Sequence, residues 1–207
     1  MPKIVQTADE GFVTTAIFKE PVEGRVRVNE VNLEGDAQAD LRVHGGWSKA
    51  VYAYPNEHYD FWRRELPDVQ LGFANFGENL TTEGLLETET FIGDRLRIGT
   101  AEFVVTEPRM PCYKLGVRFG RKDIIKRFLQ SRRSGLYLAI EKTGDVGAGD
   151  SIEILSRDPN KVSVHDIVRV WVEDKDDNDT MSRALKIDVF PEKWKGPFRE
   201  RIAEANR

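Results

Sequence analysis

The sequence predicts a mainly β protein with α-helices, built as a β-barrel followed by a small helical domain. Most of the first 155 residues alternate short apolar runs with glycine-containing turns, which is typical of a closed or nearly closed barrel. From Ser163 onward the apolar spacing becomes helical. The polar, turn-like run Ser156–Lys161 separates the two patterns. We therefore expect a β-barrel over residues 1–156 and a three-helix domain over residues 157–207.

Short runs rich in β-branched and aromatic residues predict the strands. The predicted strands lie at 12–18, 26–28, 31–33, 50–54, 93–99, 101–106, 135–140 and 151–155. Residues 93–106 predict a hairpin, and the glycine-rich run 144–150 is interpreted as a hairpin turn. Pro55 stops the strand at 50–54 and suits the first turn of a helix that ends near Leu66. A second helix is predicted at 123–129.

The last third of the chain predicts three helices. Ser163 and Asp166 resemble a capping box with aspartate in place of glutamate. The second helix is expected over about 179–185, and the third begins near residue 191. Trp171, Trp194 and Phe198 suit an apolar face packed on a partner surface, and a lid or protein-docking role is the alternative.

Composition narrows the class of protein. The formal net charge is −4, so no general affinity for nucleic acid or acidic membranes is expected. No run reaches the roughly 18–20 apolar residues of a membrane span, and residues 1–7 lack the apolar core of a signal peptide. One cysteine fits a reducing compartment. We expect a cytoplasmic protein with no nucleic-acid or membrane partner.

Cys112, the single cysteine, lies in the run 106–114 directly after Pro111 and four residues after Pro108, with Arg109 and Lys114 nearby. Prolines restrict the backbone, and positive charge favours the thiolate, the form that attacks electrophiles and binds soft metals. The segment therefore indicates a rigid loop that presents one activated sulfur. A small buried apolar side chain is the opposing interpretation.

Two further motifs carry candidate ligand-binding residues. Asp40 precedes the run His44, Gly45, Gly46, Trp47, Ser48 and Lys49. The two glycines permit a tight turn or a close ligand, and His44 and Lys49 suit an anion. The alternative is a loop closed by aspartate bonds to the backbone. Asn79 follows a glycine, and its amide suits either a heterocycle edge or a turn clamp.

The remaining options stay open at this point. Arg109 suits bidentate phosphate binding or a surface ion pair. A Cys112–His44 nucleophile pair is a further alternative. One cysteine excludes a structural tetrahedral zinc site, and three histidines spread over both parts argue against a histidine-rich one. No phosphate-binding P-loop or dinucleotide glycine motif is present.

Taken together, the motifs resemble the MOSC domain, the C-terminal domain of molybdenum-cofactor sulfurases. The motifs that carry the resemblance are Gly35-Asp36, Asp40, His44–Gly46, 49–54, 76–81, 92–96, 108–112, 135–137 and 147–150. They follow in the family's order over roughly residues 10–155. The region from Ser163 is similar to the three-helix domain of stand-alone bacterial members.

The resemblance implies a β-rich barrel and the molybdenum cofactor, a molybdopterin. In amidoxime-reducing relatives the cysteine that matches Cys112 coordinates molybdenum. Stand-alone members are associated with resistance to N-hydroxylated base analogues such as hydroxylaminopurines. A reductase of small N-hydroxylated molecules that receives electrons from a separate donor protein is therefore expected, and a homodimer is an open alternative. Arg109, Lys49, Lys114 or Gly45-Gly46 would receive the pterin phosphate, and Asn79 and Asp40 the pterin edges.

Two other functions remain alternatives for the same motifs. In the first, Cys112 carries sulfur as a persulfide without a metal. In the second, the protein binds and delivers the cofactor, and the helical tail docks a partner enzyme. Both, like the reductase hypothesis, need an exposed cysteine in a basic pocket.

Overall fold

The protein is described by a computed structural model over residues 2–7, 11–36, 46–205 and 207. Its strands are β1 (Lys3–Thr7), β2 (Gly11–Thr15), β3 (Arg25–Val28), β4 (Val51–Pro55), β5 (Leu80–Thr82), β6 (Arg95–Ile98), β7 (Ala101–Pro108), β8 (Leu136–Lys142), β9 (Gly144–Gly147) and β10 (Ile152–Ser156). Its α-helices are α1 (Glu57–Glu65), α2 (Tyr113–Phe119), α3 (Ile124–Ser131), α4 (Val164–Val172), α5 (Asn178–Ala184) and α6 (Glu192–Ala205). A short 3₁₀ turn spans Trp47–Lys49.

The main sheet has six strands in the order β10-β6-β7-β8-β4-β5 and curls into a half-barrel. Neighbouring strands are antiparallel except β4 and β5, which pair in parallel. Two separate two-stranded pairs, β1 with β2 and β3 with β9, complete the strands of the described residues. The predicted class, a β-rich barrel-like sheet followed by C-terminal helices, is confirmed.

The structure also corrects several local predictions. Residues 31–33 do not form a strand, because only Leu33 makes an isolated bridge, to Val28. The glycine-rich run 144–150 was predicted as a turn, but its first half is β9, paired with β3. Gly144 packs so closely on the backbone of Thr100 that a Cβ there would lie 2.6 Å from the Thr100 carbonyl carbon. Glycine therefore marks a close strand contact rather than only a bend.

Three elements lack a clear sequence signal. Strands β1 and β5 are five and three residues long, and their apolar content is low. Helix α2 contains Gly116 and follows Pro111, so its composition indicates a loop. All three elements are stabilised by contacts with neighbouring elements, and the secondary-structure propensity of their own residues does not reveal these contacts.

Strand β4 is buried on both faces, and this separates two apolar cores. Val51 and Ala53 face a core that also contains Phe103, whereas Tyr52 and Tyr54 face the opposite way. Side chains alternate along a strand, so one strand supplies both sets. The second core is largely aromatic and consists of Tyr52, Tyr54, Tyr59, Trp62, Leu66, Phe76, Leu115, Ile124 and Phe128.

The C-terminal helices pack on the sheet as part of the first core. Trp194 and Phe198 of α6 are buried in the same cluster as Val51 and Phe103, which confirms the prediction of a packed apolar face. The Ser163–Asp166 capping box is also present at the start of α4. Since this cluster is continuous across residue 156, the helices do not bury their apolar faces among themselves alone. The boundary at 156/157 stays a prediction.

A buried carboxylate joins the 93–106 hairpin to the chain that leads to the helices. Asp94 is fully buried and accepts hydrogen bonds from the main-chain N–H groups of Phe91 and Asp158, both at 3.0 Å. Oδ2, the oxygen that accepts from Phe91, also pairs with Arg157 at 2.6 Å. These contacts compensate the carboxylate for its loss of water and fix the path of the chain after β10.

We expect Gly135→Ala to destabilise the protein much more than Gly149→Ala. Both glycines have positive φ, at 62° and 86°, which costs an alanine about 1 kcal/mol. A Cβ at residue 135 would also lie 2.6 Å from the Ala53 carbonyl oxygen, whereas residue 149 has nothing within 4 Å. Urea unfolding should show an additional loss of about 2 kcal/mol or more for Gly135→Ala. Equal losses in the two variants would contradict the packing described for β4 and β8.

Candidate functional site

A cavity of about 110 Å³ lies beside the segment that follows β7. Five residues predicted for the site line it: Lys49, Asn79, Arg109, Cys112 and Lys114. Its other lining residues are Thr15, Ala16, Ile17, Lys19, Asp36, Tyr52, Phe76, Gly77, Met110 and Tyr137. The sequence motifs that are far apart along the chain therefore meet at one place.

Cys112 is held between two anchored elements. Strand β7 ends at Pro108 and α2 begins at Tyr113, so only four residues connect them. The Cys112 carbonyl accepts a hydrogen bond from the Leu115 amide at 2.9 Å, and Leu115 is fully buried. The cysteine is partly exposed and lines the cavity, which argues against the interpretation of a small buried apolar side chain. Cys112 thus lies on the wall of the cavity and is partly accessible.

Arg109 is buried in the aromatic core, with only 5% of its surface exposed. Its guanidinium carbon lies 5.4 Å from the ring centre of Tyr52 and 5.0 Å from that of Phe128. A surface ion pair, one of its two predicted roles, is therefore excluded. Within the described residues, Nη1 of Arg109 has no hydrogen-bond partner. Leaving a buried charged donor unpaired is costly, so this atom indicates a place for an anionic ligand.

Three lysines add positive charge to the cavity wall. The pKa of Lys49 is lowered to about 8, first by burial and second by the charge of Lys193, while Glu107 opposes both. Lys114 is almost fully buried. Burial also lowers the pKa of Lys19, against the opposing effect of its 2.7 Å ion pair with Asp36. Desolvated cations of this kind favour an anion as the occupant.

Asn79 acts as a clamp between two strands. The side-chain oxygen Oδ1 accepts from the main-chain N–H of Tyr52 at 2.9 Å, and the main-chain N–H of Asn79 donates to the Tyr52 carbonyl at 2.8 Å. Its Nδ2 donates to Asp36 at 2.7 Å. These bonds match the turn-clamp interpretation, and a contact with a heterocycle stays a prediction.

The neighbouring Glu78 is the residue that shapes this loop. It is buried and accepts hydrogen bonds from the amides of Ala74 and Phe76 at 2.9 and 3.1 Å, and from the Tyr59 hydroxyl. Burial and the negative charge of Glu78 both raise the pKa of Tyr59. A buried carboxylate that receives several donors fixes the backbone around Gly77, next to the cavity.

Tyr52 and Tyr137 form an aromatic wall. They are directly paired across β4 and β8, and their ring centres are 5.3 Å apart. Burial raises the pKa of Tyr137 to about 12, although Arg109 acts in the opposite direction. Tyr52 donates its hydroxyl hydrogen to the Ser134 carbonyl at 2.8 Å. Both rings are therefore neutral near pH 7 and suit contact with a flat, apolar face.

The C-terminal helix α6 reaches the edge of this site through Glu107. That carboxylate is 1% exposed and accepts from Trp194 Nε1 at 2.9 Å and from Ser48 Oγ at 3.0 Å. Lys193 forms an ion pair with the same group. Lys49 directly follows Ser48, so the same carboxylate also orders the part of the cavity wall that carries Lys49.

The remaining predicted residues are Asp40, His44, Gly45 and Gly46, and only Gly46 belongs to the described part of the chain. Asp40, His44 and Gly45 lie outside the described residues, so their roles and the Cys112–His44 pair stay predictions. Gly46 has φ 95° and accepts from the Lys49 amide at 3.1 Å, which starts the 3₁₀ turn that delivers Lys49. Gly46 itself does not line the cavity.

Sequence reasoning missed several residues of the site. Lys19 and Lys193 were not assigned to it, because nothing in their local sequence separates them from surface charges. Tyr137 and Glu107 lie in runs that the sequence did single out, 135–137 and 106–114, but neither was given a role. Asp36 belongs to a motif that the sequence did single out, and its contacts with Lys19 and Asn79 explain its place there. Only the pairing of β4 with β8 and the packing of α6 bring these side chains together.

A second cavity of about 430 Å³ contains His58, Glu87 and His165. His58 Nε2 lies 2.6 Å from Glu87, whose other oxygen accepts from the Gly135 amide at 2.6 Å. Two histidines that were expected to be spread over the two parts of the chain therefore share one cavity. Even so, no group of three potential metal-ligating side chains occurs in the described part of the chain. Within the same residues, no helix is both long and apolar enough for a membrane span.

Comparison with known proteins places this geometry in a family. Residues 40–153, more than half of the chain, match the MOSC domain. The chain is 39% identical to YflK of Bacillus subtilis over 186 residues, which cover 90% of this chain and 84% of that protein. It is 35% identical to YiiM of Escherichia coli over 199 residues, which cover 95% of this chain and 88% of that protein.

A fungal protein named as a reductase, from Gibberella moniliformis, is 35% identical over 171 residues, which cover 81% of this chain but 30% of that protein. The fold is similar to the crystal structure of YiiM from Geobacillus stearothermophilus, with a TM-score of 0.80 and 28% identity over 98% of this chain and 94% of that one. Residues 40–153, which match the MOSC domain, include Cys112 and every other cavity residue between Lys49 and Tyr137. The chain therefore belongs to the MOSC domain family and is a YiiM-like member of it.

Proposed function

We propose that this protein binds a molybdenum cofactor and reduces small N-hydroxylated molecules, such as hydroxylaminopurine-type base analogues. The observation that supports it most is the placement of Cys112 in a cavity that buried Arg109 also lines, where Nη1 of Arg109 has no hydrogen-bond partner among the described residues. A thiolate is a suitable ligand for a soft metal. The name of the fungal relative, a reductase, fits the same reaction class.

The residues of the cavity fit the chemical parts of such a cofactor. Cys112 would ligate the metal. Arg109, Lys49 and Lys114 would bind the pterin phosphate, because they are cationic and line the same space. Asp40, His44, Gly45 and Gly46 would extend this grip from the preceding loop, as the motif predicts. Asn79 would contribute chiefly by holding β4 in register with its loop, since its amide already bonds to Tyr52 and Asp36.

The reaction needs two electrons and two protons, because an N-hydroxyl group leaves as water when the amine forms. When bound, the cofactor supplies the electron transfer at the metal. A separate electron-donor protein would provide the electrons. Tyr52 and Tyr137, whose rings are tilted by 42° to each other, would contribute aromatic contacts to a heteroaromatic substrate.

We expect Cys112→Ser to lose bound molybdenum. Protein purified from cells able to make the cofactor should contain close to one metal per chain in the wild type and at most about a tenth of that in the variant, because a hydroxyl is a poor ligand for a soft metal. Elemental analysis of both proteins measures this. Lys195→Gln, a change on α6 away from the cavity, serves as the control and should retain its metal.

Two outcomes would contradict the proposal. The first is metal retained in Cys112→Ser, and the second is metal-free wild-type protein that still reduces an N-hydroxylated base. A protein without metal that carries one additional sulfur atom on Cys112, seen by intact mass, would instead support the persulfide carrier.

We expect Arg109→Gln to reduce the pterin content by about tenfold or more, because it removes a charged donor from a buried phosphate contact. Arg63→Gln is the control, since Arg63 is half-exposed and pairs with Asp60 on the surface. Fluorescence of the oxidised pterin released from folded, purified protein measures the content. Equal pterin in the two variants would show that Arg109 does not bind the cofactor.

A further inference from the structure

The buried carboxylate of Glu107 gathers two cations from distant parts of the chain. Lys193 of α6 forms an ion pair with it, and Ser48, which donates to it at 3.0 Å, precedes Lys49. Trp194 fixes the second carboxylate oxygen through a 2.9 Å hydrogen bond. Glu107 is 1% exposed, while the Lys193 side chain remains 48% exposed. The Glu107 carboxylate is therefore held in place by its contacts, whereas the Lys193 side chain is accessible to solvent.

Among the described residues, the ammonium groups of Lys49 and Lys193 both interact electrostatically with the Glu107 carboxylate, and they repel each other. The effect is visible in Lys49, whose pKa is lowered to about 8 by burial first and by the charge of Lys193 second, against Glu107. Within the described ranges, Cys112 and the Tyr137 ring of β8 also lie near Lys49, and the ring centre is 6.0 Å from Nζ. Repulsion between neighbouring cations is relieved when an anion binds between them.

An independent observation at the same cavity also indicates an anion. Arg109, 5% exposed, lines the cavity and has a nitrogen, Nη1, without a hydrogen-bond partner in the described part of the chain. Of the charged side chains on the described part of the cavity wall, four are cationic, namely Lys19, Lys49, Arg109 and Lys114, and Asp36 is the acidic one. Asp36 is already paired with Lys19.

We propose that Lys193 of the C-terminal helix, together with Lys49, binds an oxyanion at the edge of the Cys112 cavity, with Glu107 and Trp194 as positioning residues. The ligand class is a phosphate monoester, supplied either by the cofactor or by a phosphorylated substrate. The C-terminal helices thereby complete a binding site that the MOSC region begins. The inference rests on the proposed function only in taking the Cys112 cavity as the binding site.

The first test measures the electrostatic potential at Cys112 in cofactor-free protein, so it does not depend on turnover. The rate of Cys112 alkylation by anionic iodoacetate is divided by the rate with neutral iodoacetamide, which cancels the intrinsic reactivity of the thiol. Removing one nearby cation in Lys193→Gln should lower this ratio about two- to fourfold. The half-exposed position of Lys193 makes the substitution compatible with folding.

Lys195→Gln is the matched control on the same helix. The Lys195 Nζ contacts the Asp188 carbonyl at 3.5 Å instead of Glu107, and its ratio should equal that of the wild type. Inorganic phosphate should protect Cys112 from iodoacetamide, and the phosphate concentration needed should rise at least about threefold in Lys193→Gln. An unchanged ratio and unchanged protection in Lys193→Gln, or equal changes in Lys195→Gln, would overturn the proposal.

The source of the phosphate is distinguished in protein from cofactor-competent cells. Pterin content that falls in Lys193→Gln but not in Lys195→Gln assigns the site to the cofactor. Unchanged pterin with a raised KM for a phosphorylated N-hydroxylated nucleotide, and an unchanged KM for the free base, assigns it to the substrate. Both results support an oxyanion site. If the protein lacks molybdenum altogether, the alkylation result still stands, so the two proposals fail separately.

Discussion

Burial of strand β4 on both faces is the constraint from which the rest of the arrangement follows. A five-residue strand with every residue buried must satisfy two different environments. Val51 and Ala53 contact the core shared with α4 to α6, and Tyr52 and Tyr54 contact the aromatic core under α1 and α3. The cysteine cavity lies on the aromatic side, while the C-terminal helices pack on the other. Because β4 belongs to both cores, the packing of either core also fixes the position of this strand in the other.

Buried charged groups then determine the details around that frame. Glu78, Asp94 and Glu107 are each almost fully buried, and each receives several hydrogen bonds or an ion pair. A carboxylate removed from water is tolerated only when such donors replace the water. Glu78 fixes the loop next to the cavity, Asp94 fixes the chain that leads to the helices, and Glu107 connects α6 to Lys49. The site is thus built by polar contacts that span long sequence separations.

Part of the fold and of the candidate site could be predicted from the sequence, and part could not. The 93–106 hairpin, the strands near Val26 and Ser151, and the capping box at Ser163 have strong local patterns, and the structure contains all of them. Strand β9 was misinterpreted as a turn because glycine has two meanings, a bend or a close approach between backbones. Helix α2 was missed because Gly116 and the preceding prolines argue against a helix, although burial of Leu115 stabilises it.

The sequence by itself determined the chemistry available: one thiol just after two prolines, cations on either side of it, and ordered motifs that resemble one family. Residue type and spacing are local properties, so they can be read without coordinates. Only the tertiary structure decided which of these groups share one space. Arg109 moves from a candidate surface charge to a buried guanidinium, Asn79 becomes a clamp, and Lys193 arrives from a helix about 80 residues after Cys112. Such juxtapositions depend on strand pairing and core packing between distant segments, which no local pattern encodes.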